Sequence, residues 1–144
     1  MQIDETDKKL LHLLAENARR SVSDLGRDLN LARTTVQARI ERLENLGHIA
    51  GYTVKLGKSL NANLRATALV CIEPRSAPAV LQRLKTLSQV ERVHTTSGRF
   101  DLIVEISAKT TEELDDTLDR IGEARGVKSS ESLIHLSTKI DRAI

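Results

Sequence analysis

At 144 residues, with 40% hydrophobic and 29% charged positions, the chain has the size and balance of one ordinary domain or two small ones, which excludes intrinsic disorder. A net charge of +2 does not by itself announce a polyanionic partner, no apolar run approaches the roughly 18 residues that span a bilayer, and MQIDETDKK lacks the apolar stretch of a signal peptide, so a cytoplasmic protein is expected. Tyr52 and Phe100 are the only aromatics, too few for the stacking platforms of single-strand binders, and the single Cys71 excludes an internal disulfide.

Asp4 has the chemistry to cap a first helix, with Glu5 and Asp7 complementing its positive end. Leu10, Leu11, Leu13 and Leu14 give that helix a broad apolar face, and it fades near Asn17. Ser21 or Ser23 caps a second helix holding Leu25 and Leu29. Gly26 is small enough for close packing against a crossing helix, Asn30 tolerates a left-handed backbone, and Leu31 returns the chain to the core. That spacing is a helix-turn-helix corner.

The next helix runs from about Arg33 to Leu46, with Val36, Ile40 and Leu43 as its inward stripe. Projection at about 100° per residue places Thr34, Thr35, Ala38 and Arg42 roughly opposite the stripe, with Arg33 in the first turn and Gln37 and Arg39 on the flanks. Arginines, an amide and short hydroxyls near a helix N-terminus suit the major groove, where each has a matching base edge or phosphate. Arg19, Arg20 and Arg39 are further candidates for phosphate. From residue 17 to 56 the chain holds seven basic and four acidic residues, so this region is locally positive. A merely solvated helix face carries similar residues, and the helix alone does not separate the two readings.

Gly47 ends the helix, and Ile49, Val54 and Leu56 alternate as in a short hairpin or wing. A winged helix-turn-helix domain over 1–56 is therefore expected, with a polar, small-residue hinge over 57–65. Over 66–144 the pattern is β-α-β-β-α-β: a strand from Ala66 to Glu73, a helix opened by Ser76 and Pro78, strands over Val90–Thr96 and Asp101–Ser107, a helix capped by Thr110 and Glu113, and a long final strand from Lys128 to Ile140. That order is a ferredoxin-like α+β sandwich with helices on one face. Aliphatic residues on both faces of its strands, including Leu69, Cys71, Ile103 and Ile106, call for a partner, and a homodimer through the bare face is expected.

In this order the Asp4-x-x-Asp7-x-x-Leu10-Leu11 opening, the block LGRDLNLARTTVQARIERLENLGHIAGY and the run Thr96-Ser97-Gly98-Arg99-Phe100-Asp101-Leu102 resemble the leucine-responsive regulatory protein / asparagine regulator (Lrp/AsnC) family over essentially the whole chain. The resemblance implies a nucleoid-associated transcriptional regulator of double-stranded DNA, dimeric through its C-terminal sheets and assembling into tetramers or octamers. It also implies a small effector, a free amino acid, held with the help of Ser97, Gly98, Arg99, Phe100 and Asp101. Where the family has glycine before Leu31 this chain has Asn30, and where it has a serine cap this chain has Ala32, a loss of up to about 1 kcal/mol.

No Cys, His or Asp group has metal-ligand spacing, and His12, His48, His94 and His135 are scattered. No enzyme activity, metal or cofactor is expected. A ligand-sensing oligomer that regulates a metabolic enzyme without touching DNA is the alternative, but it would not need Arg33, Gln37, Arg39 and Arg42 around one buried stripe.

Overall fold

The computed structural model describes residues 2–61 and 63–142. The chain divides into two compact units, the first reaching Lys55 and the second spanning Leu56–Asp141.

The first unit is three helices, α1 (Glu5–Glu16), α2 (Val22–Leu29) and α3 (Arg33–Asn45). Asp4 and Asp7 form a reciprocal capping box at the start of α1. Ser21, rather than Ser23, caps α2 by accepting from Asp24 N–H at 3.0 Å. Leu10, Leu25, Val36 and Leu43 are fully buried at the centre, with Ile3, Leu13, Leu29, Leu31 and Ile40 packed around them. Each buried leucine contributes roughly 1.5–3 kcal/mol, and these few side chains are the unit's main apolar support. Gly47 (φ 77°) turns the chain so that Ile49 N–H reaches back to Leu43 O at 3.1 Å, ending α3.

No strand forms between Gly47 and Leu56, so the expected wing is not built in this chain. Tyr52, Val54 and Leu56 are all more than half exposed. Among the described residues of this unit no second strand faces that alternation, and an unpaired ladder is not stable in water.

The second unit is β1 (Leu64–Ile72), α4 (Ala77–Lys85), β2 (Val90–Thr95), β3 (Leu102–Ala108), α5 (Thr111–Gly122) and β4 (Val127–Ile134). The sheet is antiparallel throughout in the order β2-β3-β1-β4. Ala66, Ala68 and Val70 of β1 and Leu102, Val104 and Ile106 of β3 pack against Val80, Leu84, Leu114 and Ile121 of the helices. Gly126 lets the chain into β4 pass close to the start of α4, since a Cβ there would lie 2.6 Å from Ser76 Cβ.

Two expectations about the sheet change. The final strand stops at Ile134 rather than Ile140, followed by one further backbone bond from His135 N–H to Arg65 O. Ile106 lies on the helix-covered face, so the bare face carries Leu69, Cys71, Ile103 and Leu133 among Thr67, Glu105, His94 and Glu131. It is a mixed surface, not an aliphatic one. The expected capping box of α5 is also only half present: Thr110 accepts from Glu113 N–H, while the Glu113 carboxylate takes Lys109 N–H and the Gln89 amide instead.

Candidate DNA-reading helix and effector loop

The corner between α2 and α3 is sterically determined. Leu31 N–H donates to Gly26 O at 2.8 Å, and a Cβ on Gly26 would stand 2.7 Å from Leu31 O. Asn30 closes α2 in the left-handed region at φ 53°, ψ 48°, which asparagine accepts at small cost. Ala32 is extended at the N-cap of α3 and supplies no side-chain bond, so the first N–H groups of that helix end are open to another acceptor.

On α3, Arg33, Thr34, Thr35, Gln37 and Ala38 are exposed, and they occupy its first two turns. Among the described residues Arg33 makes no ion pair or hydrogen bond, and Gln37 donates only to the exposed Glu41 at 3.1 Å. These five side chains form one continuous polar and small-residue surface beginning at the helix N-terminus.

The other four arginines divide differently from expectation. Arg39 and Arg42 turn toward α1: Arg39 Nη1 donates to Asp4 at 2.8 and 3.0 Å and to Asp7 Oδ1 at 2.9 Å, and Arg42 Nη2 donates to Asp7 Oδ2. Arg42 therefore does not stand opposite the buried stripe. Its side chain is 36% exposed, and its Nε is buried without a partner. Arg20 is paired with Asp28, whereas Arg19 is exposed and its side chain has no partner among the described residues. Arg39 holds the Asp4 carboxyl below its ordinary value of 3.8, assisted by Asp7 N–H, and is itself raised by the two carboxylates. In the sequence Asp7 is a dipole partner and part of the Asp4-x-x-Asp7 opening, with no structural role beyond the helix start. It is fully buried, and the Asp-x-x-Asp spacing of a capping box was the available signal.

In the second unit, the loop between β2 and β3 borders a cavity of about 520 Å³ lined by Leu69, Thr95, Thr96, Ser97, Arg99, Phe100 and Ile103. Three of the five expected effector residues, Ser97, Arg99 and Phe100, lie on its wall. Gly98 makes the turn at φ 104°, and Asp101 ties the loop to β1: its Oδ2 accepts Ile72 N–H at 2.8 Å and its N–H donates to Val70 O at 2.9 Å. Thr96 Oγ1 donates to Phe100 O at 2.7 Å, and the Arg99 guanidinium lies 5.0 Å from the Phe100 ring centre. Arg99 is the one charged group on the cavity wall, so the site favours an anionic group beside an apolar floor of Leu69 and Ile103. The strand residues Leu69, Thr95 and Ile103 carried no local signal for this role, because only sheet pairing brings β1, β2 and β3 together beside the loop.

Residues 3–44 match the model of the AsnC-type helix-turn-helix domain, and residues 65–144 match that of the Lrp/AsnC ligand binding domain. The chain is 30% identical over 139 residues to an HTH-type transcriptional regulator of Pyrococcus furiosus, covering 95% of this chain and 94% of that protein. It is 32% identical over 141 residues to one of Pyrococcus horikoshii, covering 94% of each. Among solved structures it is similar to AsnC of E. coli, with a TM-score of 0.89 at 23% identity over 100% of this chain and 99% of that one. It is also similar to the feast or famine regulatory protein of M. tuberculosis complexed with L-methionine, with a TM-score of 0.81 at 26% identity over 98% of this chain and 97% of that one. With both units matched in order and relatives aligned almost end to end, the chain belongs to the Lrp/AsnC family of DNA-binding transcriptional regulators, with a helix-turn-helix domain followed by a ligand-binding domain.

Proposed function

We propose that the chain reads duplex DNA with the first two turns of α3 and senses a free amino acid at the 97–101 loop. The observation that carries the DNA half is the exposed run Arg33, Thr34, Thr35, Gln37 and Ala38 at a helix N-terminus whose own N–H groups lack a side-chain cap. Arg33 and Gln37 have the donors for guanine and adenine edges, Ala38 and the threonine methyls meet thymine, and Arg19 is free for phosphate. Arg20 reaches phosphate only by releasing Asp28. Duplexes selected from a random pool by the full chain give the test. Arg33→Ala should weaken binding and lower the dependence of log affinity on log salt by about one unit. Unchanged affinity in the Arg33→Ala/Gln37→Ala double variant would remove α3 from the DNA.

For the effector, the arrangement supports a carboxylate against Arg99 and an apolar side chain over Leu69, Ile103 and Phe100. The L-methionine bound by the M. tuberculosis protein has that chemistry. A thermal-shift panel of the twenty amino acids tests it, because a ligand at about 100 times its Kd adds roughly 2.7 kcal/mol of stability. Retention of the shift in Arg99→Ala would rule out this orientation. The reading includes no catalytic step and no metal or cofactor, and it places the protein in the cytoplasm with the nucleoid.

Assembly completes the proposal: a homodimer through the bare sheet face, and tetramers or octamers of such dimers. Leu133 and Ile134 on the edge strand β4 are about half exposed, and Leu136 and Ile140 beyond it are more so, which is apolar surface that a second copy would cover.

A further inference from the structure

The feature of the N-terminal unit that DNA reading does not use is a buried carboxylate shared between two arginines. Asp7 has no exposed surface, and both oxygens of its carboxylate are hydrogen-bonded from within the unit. Oδ1 accepts from Arg39 Nη1 at 2.9 Å, while Oδ2 accepts from Arg42 Nη2 and from Asp4 N–H at 3.2 Å. Asp4 completes the cluster by taking the same Arg39 nitrogen and the Asp7 N–H. Asp7 alone of the cluster is fully buried, so its carboxylate does not reach water unless α1 moves, while Asp4, Arg39 and Arg42 each keep part of their side chains exposed.

Arg39 and Arg42 are three residues apart on α3, on one side of that helix. Two attachment points to one rigid carboxylate on α1 define the rotation of α3 about its own axis. A turn of α3 by one residue, about 100°, would break both bonds and leave a buried charge unpaired, which costs several kcal/mol. Smooth apolar packing by Val36, Ile40 and Leu43 does not resist small rotations so steeply, because dispersion contacts are individually weak and non-directional. A buried ion pair is weak support for stability, since its desolvation offsets its attraction; fixing one arrangement against its alternatives is its better-attested use.

The structure assigns Asp7 a positioning role: it anchors Arg39 and Arg42 so that Arg33, Thr34, Thr35, Gln37 and Ala38 are the residues α3 presents to DNA. The inference rests on the reading of α3 as the DNA-contacting helix. It removes Arg39 and Arg42 from the DNA contacts, and it gives a buried acidic residue, repelled by phosphate if it were exposed, a part in sequence discrimination.

The test compares a duplex selected by the wild-type chain with a random duplex, below the unfolding temperature of each variant. A loss of folded protein scales both affinities by the same factor, whereas a misrotated α3 lowers only the affinity for the selected duplex. Asp7→Asn/Arg42→Gln keeps the net charge of the unit. It should bind the selected duplex about tenfold more weakly, the loss expected for roughly one misread base pair. Its affinity for random DNA should stay within about twofold, with the salt slope unchanged, because no phosphate contact is lost. Asp7→Asn and Arg42→Gln alone should each give most of that specific loss, so the effects do not add.

A salt slope lowered by about one unit, with both affinities falling together, would make Arg42 a phosphate contact and overturn the assignment. An unchanged ratio of selected to random binding would overturn it too. If Asp7→Asn fails to fold, Arg42→Gln, at a partly exposed position, decides by the same ratio. Arg33→Ala, run alongside, separates the two failures. If it weakens binding while the Asp7 and Arg42 variants do not, only the positioning role falls; if it has no effect, the reading of α3 itself falls and takes this inference with it.

Discussion

Gly26 and Leu31 meet backbone to backbone, and the absence of a methyl group at Gly26 is what lets α2 turn into α3. Gly26→Ala places a Cβ 2.7 Å from a backbone atom that cannot swing away, so the corner must open. The expected cost is about 1–3 kcal/mol, read as a lower denaturant midpoint with an unchanged m-value. At the other end of the chain, Arg99 is a single-residue determinant of a different kind: it carries charge to the cavity wall without any buried partner. Arg99→Ala should leave the melting temperature of the unliganded protein within about 2 °C of wild type, as expected for an exposed substitution, while cancelling the shift produced by an amino acid. Both residues stood out in the sequence as a glycine at a helix corner and a basic residue in a turn. Asp101 stood beside them as a ligand candidate, yet its carboxylate is used by Ile72 N–H, a pairing across 29 positions that no local pattern announces.

At the scale of the element, α3 starts without a cap and ends with a firm one. Ala32 already has the extended backbone of an N-cap, at φ −64° and ψ 145°, so Ala32→Ser should supply the missing acceptor without strain and stabilise the unit by about 1 kcal/mol in chemical denaturation. The start of α1 behaves in the opposite way, because its cap is also an ion-pair cluster. Asp4 titrates below its ordinary value of 3.8 in the folded chain, chiefly through the Arg39 hydrogen bond. A lowered folded value means that its contribution is fully present above the unfolded value and is lost as pH falls through the folded one. Denaturation followed by circular dichroism should therefore show stability declining below about pH 4, more shallowly in Arg39→Ala, where the shift loses its main cause. The boundaries of α1, α2 and α3 were legible from caps and apolar spacing. The rotation of α3 was legible only in its inner stripe: Val36 and Leu43 are buried as periodicity requires, while Arg42, adjacent to Leu43, is drawn to α1 by Asp7. An ideal helical wheel has no place for such a partner.

For the molecule as a whole, the proposed homodimer uses the bare sheet face and the edge strand β4. Leu133 lies opposite Thr67 on that face and is 51% exposed, so replacing it should spare the fold of the single chain. Leu133→Arg should shift sedimentation toward smaller species, and an unchanged distribution would place the dimer elsewhere. Periodicity, caps and glycine positions by themselves determined the three N-terminal helices and the β-α-β-β-α-β order of the second unit, because those signals are local and repeat every two or 3.6 residues, while the family was carried by the resemblance of the runs over 4–11, 25–52 and 96–102. Only the tertiary structure decided which charges are structural and which are free. Asp7 meets Arg42 across 35 positions, and Asp101 meets β1 through sheet register. It also decided that residues 47–56 form no strand after α3. Such outcomes depend on distant residues competing for the same few hydrogen bonds, and a linear pattern does not contain that competition.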